Sequence, residues 1–148
     1  RICHGNPRLV HRTAHVVVFS PEGRILLQKR TLSKDIQPGK WDTAVGGHLA
    51  PGEDYETAAG REAAEELGIA IEADDLYYLF DSRIRNDIES ENVMVFGLTH
   101  SGPFKPDREE VEEVRFWDVP ELRDAHGTGV FTPNLEHEVQ LLLEGGFL

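Results

Sequence analysis

Three glutamates in a short alanine-rich stretch carry the strongest chemistry in this sequence. Glu62, Glu65 and Glu66 stand at i, i+3 and i+4. If residues 55–67 form a helix, the three carboxylates fall within one arc roughly 100° wide, at 3.6 residues per turn. Ala59, Ala63 and Leu67 occupy the adjacent arc and point to a core. Carboxylates this close repel one another unless something positive lies among them. One reading is a solvated acidic face with Arg61 as its surface partner, the ordinary fate of charged residues on helices. The other is a grip on a hard dication. Mg2+ takes oxygen ligands and keeps several waters, which leaves room for the phosphates of a substrate.

The flanking residues say how such a helix is held. Gly46, Gly47, Pro51 and Gly52 mark a loop. Asp54 is placed to cap the helix start, and Gly68 to end it. The whole run from Gly47 to Ile69 follows the pattern Gly-x5-Glu-x7-Arg-Glu-U-x-Glu-Glu-x-Gly-U, with U a bulky apolar residue. Its members are Gly47, Glu53, Arg61, Glu62, Ala63, Glu65, Glu66, Gly68 and Ile69, and Ala63 is small for its place. The chain therefore resembles the Nudix hydrolases. The resemblance implies that Glu62, Glu65 and Glu66 hold Mg2+ or Mn2+. It also implies that Glu53 and Arg61 pair to brace the loop against the helix.

A second constellation is weak residue by residue and stronger together. His4, His11 and His48, read singly, are ordinary loop or strand-end histidines, and Glu89 with Glu91 reads as a solvated strand entrance. Taken with residues 41–48, Trp-Asp-Thr-Ala-Val-Gly-Gly-His, they resemble isopentenyl-diphosphate isomerase, a Nudix relative. There, three histidines and two glutamates bind one metal, which implies a second site at His4, His11, His48, Glu89 and Glu91. That donor set suits Mn2+ or Zn2+ better than Mg2+. Arg30 and Lys34 match basic residues that contact the diphosphate in those enzymes. The isomerases carry a catalytic cysteine where Gly46 stands, and glycine cannot shuttle a proton. Their box is also degenerate, with a basic residue at the place of Glu62. The only thiol, Cys3, lies far upstream and is read as incidental.

The rest of the chain bounds the setting. Its 148 residues, 39% hydrophobic and 28% charged, make one globular domain over residues 1–148. A net charge of −12 leaves no broad basic field for a nucleic acid polymer. It does not exclude a small anion held by a local basic cluster or a metal. One cysteine provides no disulfide framework, in keeping with a reducing cytoplasm. No apolar run approaches membrane-spanning length and no signal peptide is visible. The chain begins at Arg1 without a methionine, in keeping with a missing N-terminal segment, so that absence weighs little.

Apolar runs predict strands at 13–19 and 24–30, joined as a hairpin through Pro21-Glu22-Gly23. Further strands are predicted at 42–45, 76–84, 91–100 and 114–119. Residues 102–113 read as loop, 120–125 as one helical turn and 133–143 as a last helix behind the Thr132-Pro133 cap. Strands around one central helix with a second at the end indicate an α+β domain or a helix–sheet–helix arrangement. The resemblance implies the latter, an α/β/α sandwich around a mixed sheet.

The expected reaction is metal-dependent hydrolysis of a diphosphate linkage in a nucleoside diphosphate derivative or related organic pyrophosphate. The Gly46 carbonyl is expected to complete the metal shell. The general base is one of the helix glutamates or a loop carboxylate such as Glu109 or Glu110. The alternatives are an isomerase acting on an allylic diphosphate and a non-catalytic diphosphate-binding module.

Overall fold

A computed structural model describes residues 10–31, 38–85, 90–109 and 111–148. His4, Lys34, Glu89 and Glu110, named above as site residues, lie outside them, as does Cys3. Among these residues, seven strands and three α-helices follow in the order β1 (His11–Phe19), β2 (Ile25–Arg30), β3 (Trp41–Thr43), β4 (Val45–His48), α1 (Tyr55–Leu67), β5 (Tyr77–Arg85), β6 (Ser90–Thr99), β7 (Val111–Trp117), α2 (Val119–Ala125) and α3 (Pro133–Glu144).

The sheet is mixed and β1 is its axis. It runs parallel to β6 from the His11–Glu91 pair to the Phe19–Thr99 pair. Its other edge meets β4, antiparallel, from Thr13–His48 to Val16–Val45. Alternation along β1 divides two cores. Ala14, Val16 and Val18 face α1, packing with Ala58, Ala59, Ala63 and Leu67. Val17 faces the other way, into a core with Leu135, Val139 and Leu142 of α3. The result is the expected α/β/α sandwich. Ala58, Ala59 and Ala63 of α1 are fully buried, so the helix backbone lies close on the sheet.

The predicted hairpin is the main departure. β1 and β2 meet only at Phe19–Ile25. From there they splay, because β4 takes the rest of that edge of β1. β2 pairs instead with β7, from Ile25–Trp117 to Arg30–Val111, and with β3. The strand predicted at 42–45 is broken at Ala44 into β3 and β4, one on each side of the opening. β7 begins at Val111, inside the predicted loop. Pairing with β2 outweighs the poor strand propensity of Glu112 and Glu113, and Lys29 Nζ meets Glu112 Oε2 at 3.0 Å. Among the described residues, no helix is long and apolar enough to cross a membrane.

Candidate active site

The splay between β1 and β2 opens a cleft of about 420 Å3. Its wall has an acidic end on α1 and an imidazole end toward α3.

The acidic end follows from local structure. Asp54 Oδ1 accepts from Thr57 N (2.7 Å) at the start of α1, and Gly68, at φ 67°, ends it. Between them α1 turns Glu62, Glu65 and Glu66 onto the cleft. Arg61 holds Glu53 with two hydrogen bonds, each 2.9 Å, and also donates to the His48 carbonyl (3.1 Å) and to Glu62 Oε1 (2.8 Å). One guanidinium thus ties the 49–54 loop, the end of β4 and α1 together. Arg61's hydrogen bonds, with one from the Ala50 amide, lower the Glu53 carboxyl to about 2. Glu65 is 60% exposed and stands at the mouth, whereas Glu62 is only 15% exposed.

Glu66 reaches deepest. Its carboxylate accepts from the Gly46 amide (3.1 Å) and from Gln28 Nε2 (3.2 Å). Burial still dominates, and with Glu62 beside it the carboxyl is pushed up to about 8. Close approach of β4 to α1 makes this possible. A Cβ on Gly47 would stand 2.2 Å from the Glu62 carboxyl carbon, so any side chain there would push that carboxylate out of place.

These residues fit a hard dication. The donors are all oxygen, and the proton that Glu66 retains is what an ion would displace. Among the described residues, no three His, Cys, Asp or Glu side chains stand close enough to hold a metal ion as placed, so loading either end requires them to draw together.

The imidazole end is assembled from distant segments. His48 Nε2 donates to Glu91 Oε2 (2.8 Å), and the His11 and His48 rings are 4.4 Å apart. His11 is paired with Glu91 across β1 and β6. Three of the five residues expected at a second metal site therefore stand together. Burial would raise the Glu91 carboxyl, but the hydrogen bond and charge of His48 outweigh it and lower it.

Beside them lies a network that the sequence did not single out. His15 Nδ1 donates to Glu138 Oε2 at 2.7 Å, and Thr43 Oγ1 donates to Glu138 Oε1 at 2.9 Å. Burial would lower the His15 pKa; the Glu138 charge and hydrogen bond prevail and raise it to about 9. Asp42 Oδ1 accepts from Thr43 N (2.8 Å) and from Thr132 Oγ1 (3.0 Å), and its other oxygen is 3.6 Å from Arg30 Nη1. Arg30 does line the cleft. One signal for this network was present. Glu138 lies on the apolar stripe of α3, three residues after Leu135 and next to Val139, where a charge needs a partner. Among the described residues, the loop carboxylate on the cleft wall is Asp107, and Glu109 is not part of that wall.

Known proteins resemble this chain in sequence and in fold. The NUDIX domain family matches residues 9–135. The chain is 43% identical over 135 residues to an uncharacterized Nudix hydrolase of Yersinia pestis, covering 86% of this chain and 68% of that one. It is 37% identical over 134 residues to an isopentenyl-diphosphate Delta-isomerase of Streptomyces griseus, covering 87% and 68%. In fold it is similar to the MutT protein of Methanosarcina mazei, with a TM-score of 0.74, 18% identity and 93% of each chain covered.

Proposed function

The chain belongs to the Nudix family, and on that premise we propose that it hydrolyses a diphosphate linkage in a nucleoside diphosphate derivative or a related organic pyrophosphate. The observation that carries this reading is the acidic end itself. Glu62 and Glu66 lie side by side in a cleft, held by Arg61, Gln28 and the Gly46 amide, with repulsion that a dication relieves. Glu62, Glu65, Glu66 and the Gly46 carbonyl would hold Mg2+ or Mn2+. Such an ion, when bound, supplies positive charge at the phosphate oxygens and activates water for attack.

The chain's own residues do the rest. Arg61 keeps the glutamates aimed while Glu53 keeps Arg61 in place. Arg30 and Lys34 would contact the diphosphate. A carboxylate left outside the metal shell takes the water's proton, from α1 or from the 102–110 loop. His11, His48 and Glu91, with His4 and Glu89, would hold a second ion, Mn2+ or Zn2+. The partner is a small molecule rather than a nucleic acid polymer, and the expected compartment is the cytoplasm.

The isomerase reading is favoured by the names of some relatives. Gly46 speaks against it, since no thiol is supplied there. A Cβ at that position would also press on the His15 ring at 2.9 Å.

The test is phosphate release with Mg2+ across nucleoside di- and triphosphates, nucleotide sugars and dinucleotides, with isopentenyl diphosphate run in parallel. Cleavage of at least one diphosphate linkage, without isomer formation, is the expected result. Isomerisation without hydrolysis, or no turnover of any compound, overturns it.

A further inference from the structure

The imidazole end holds one ring that the proposed hydrolysis leaves without a task. His15 projects from β1 toward α3 and lines the cleft. Its Nδ1 is held by Glu138, whose second oxygen is satisfied by Thr43. The pair joins residues 123 apart in sequence, so the ring is clamped from a different layer of the fold. Nε2 takes part in no hydrogen bond among the described residues. The ring is thus fixed at one nitrogen by the protein, and with the residue on the cleft wall the other is left to water or to a ligand.

Gly46 provides the second observation. It is paired with His15 across β1 and β4, and a Cβ there would stand 3.0 Å from Nε2 and 2.9 Å from Cδ2. Any side chain at 46 would cover the open edge of the ring. The same Gly46 donates its amide to Glu66. The open imidazole edge and the innermost glutamate therefore meet on opposite sides of one backbone unit.

We infer that His15, oriented by Glu138, is a substrate-binding residue whose Nε2 donates to a phosphoryl oxygen of the diphosphate, from the α3 side of the cleft. This rests on the diphosphate reading above and adds to it the group that faces the anion across from the glutamates. With a carboxylate on Nδ1 and an anion on Nε2, the imidazolium is the form that satisfies both neighbours. In a chain of net charge −12, such a fixed donor counters the repulsion an incoming diphosphate meets. Arg30, on the same cleft wall, is drawn to Asp42, which also accepts from Thr132 at the start of α3.

The test uses the full chain with Mg2+ and methylenediphosphonate, a diphosphate analogue that cannot be hydrolysed. Calorimetric affinity is compared for wild type, His15→Ala and Glu138→Gln, and imidazole 15N resonances are followed in the wild type. His15→Ala is expected to weaken binding by at least about tenfold, the worth of one hydrogen bond to a charged group. Glu138→Gln, which keeps the ring but loosens its clamp, falls between. The His15 Nε2 resonance is expected to shift on binding, a readout that needs no variant to fold. Equal affinities in wild type and His15→Ala, or an unmoved Nε2 signal at saturation, overturn the role of His15 alone. Failure of the wild type to bind the probe overturns the diphosphate reading as well.

Discussion

The two ends of the cleft solve the same electrostatic problem in opposite ways. At the acidic end, carboxylates crowd on one helix and share one arginine, so repulsion is left over. Glu66 answers it by keeping a proton, at a pKa of about 8. At the imidazole end, each carboxylate has its own ring: Glu91 has His48 and Glu138 has His15. An end with unmet negative charge is built to receive a cation. Carboxylates that are already paired instead fix the rings they hold. The contrast teaches that the carboxylates of the first end gain their missing partner on binding, whereas those of the second were partnered on folding and serve to orient imidazoles.

The largest effect expected is on the first end. Glu66→Gln keeps the hydrogen-bonding shape but removes the charge a dication needs. Turnover should fall by about a thousandfold, the upper range for loss of one transition-state-stabilising group. The melting temperature should hold or rise, because a buried carboxyl that resists ionising is replaced by a neutral amide. Turnover within tenfold of wild type would erase the distinction between the ends.

The second end makes an opposite prediction with pH. The His15 pKa is raised from 6.5 to about 9, so its pairing with Glu138 contributes fully below 6.5 and is lost as pH rises through about 9. That contribution is on the order of 3 kcal/mol. Wild-type melting temperature should decline over this window, and Glu138→Gln should flatten the decline. Equal slopes in the two proteins would show that the pair does not store stability.

The smallest effect concerns the layer beneath the acidic end. Ala63 is fully buried between α1 and the sheet, where the family pattern takes a bulkier residue. Ala63→Leu should cost about 1–3 kcal/mol by overpacking, read as a lowered denaturation midpoint. A gain in stability would reveal a void under α1 and a looser setting for the glutamates.

Legibility divided along the same line. The three glutamates, the Asp54 cap, the Gly68 stop and the buried alanine face belong to one helical run, and periodicity together with the cap residue types places them. The Glu53–Arg61 pair is eight residues apart and came from the motif. The strands at 13–19, 91–100 and the α3 helix were readable from apolar patterning and the Thr132-Pro133 cap. The pairing of those strands was not. A turn between two apolar runs predicts a hairpin, and nothing local says that β4 will take that edge of β1 or that β6 will lie parallel on the other. The Glu113 region was read as loop because its pairing with Lys29 on β2 is non-local.

From the residues alone, then, came an acidic helix face, its caps and its glycines, because helix geometry converts spacing directly into direction. The fold alone decided that His15 would meet Glu138, that Thr43 would complete it, and that Gly46 would separate this pair from Glu66. Those contacts join β1, the β3–β4 corner and α3. Their partners are chosen by how the layers stack and where the sheet splays, and side-chain spacing along one chain holds no record of either.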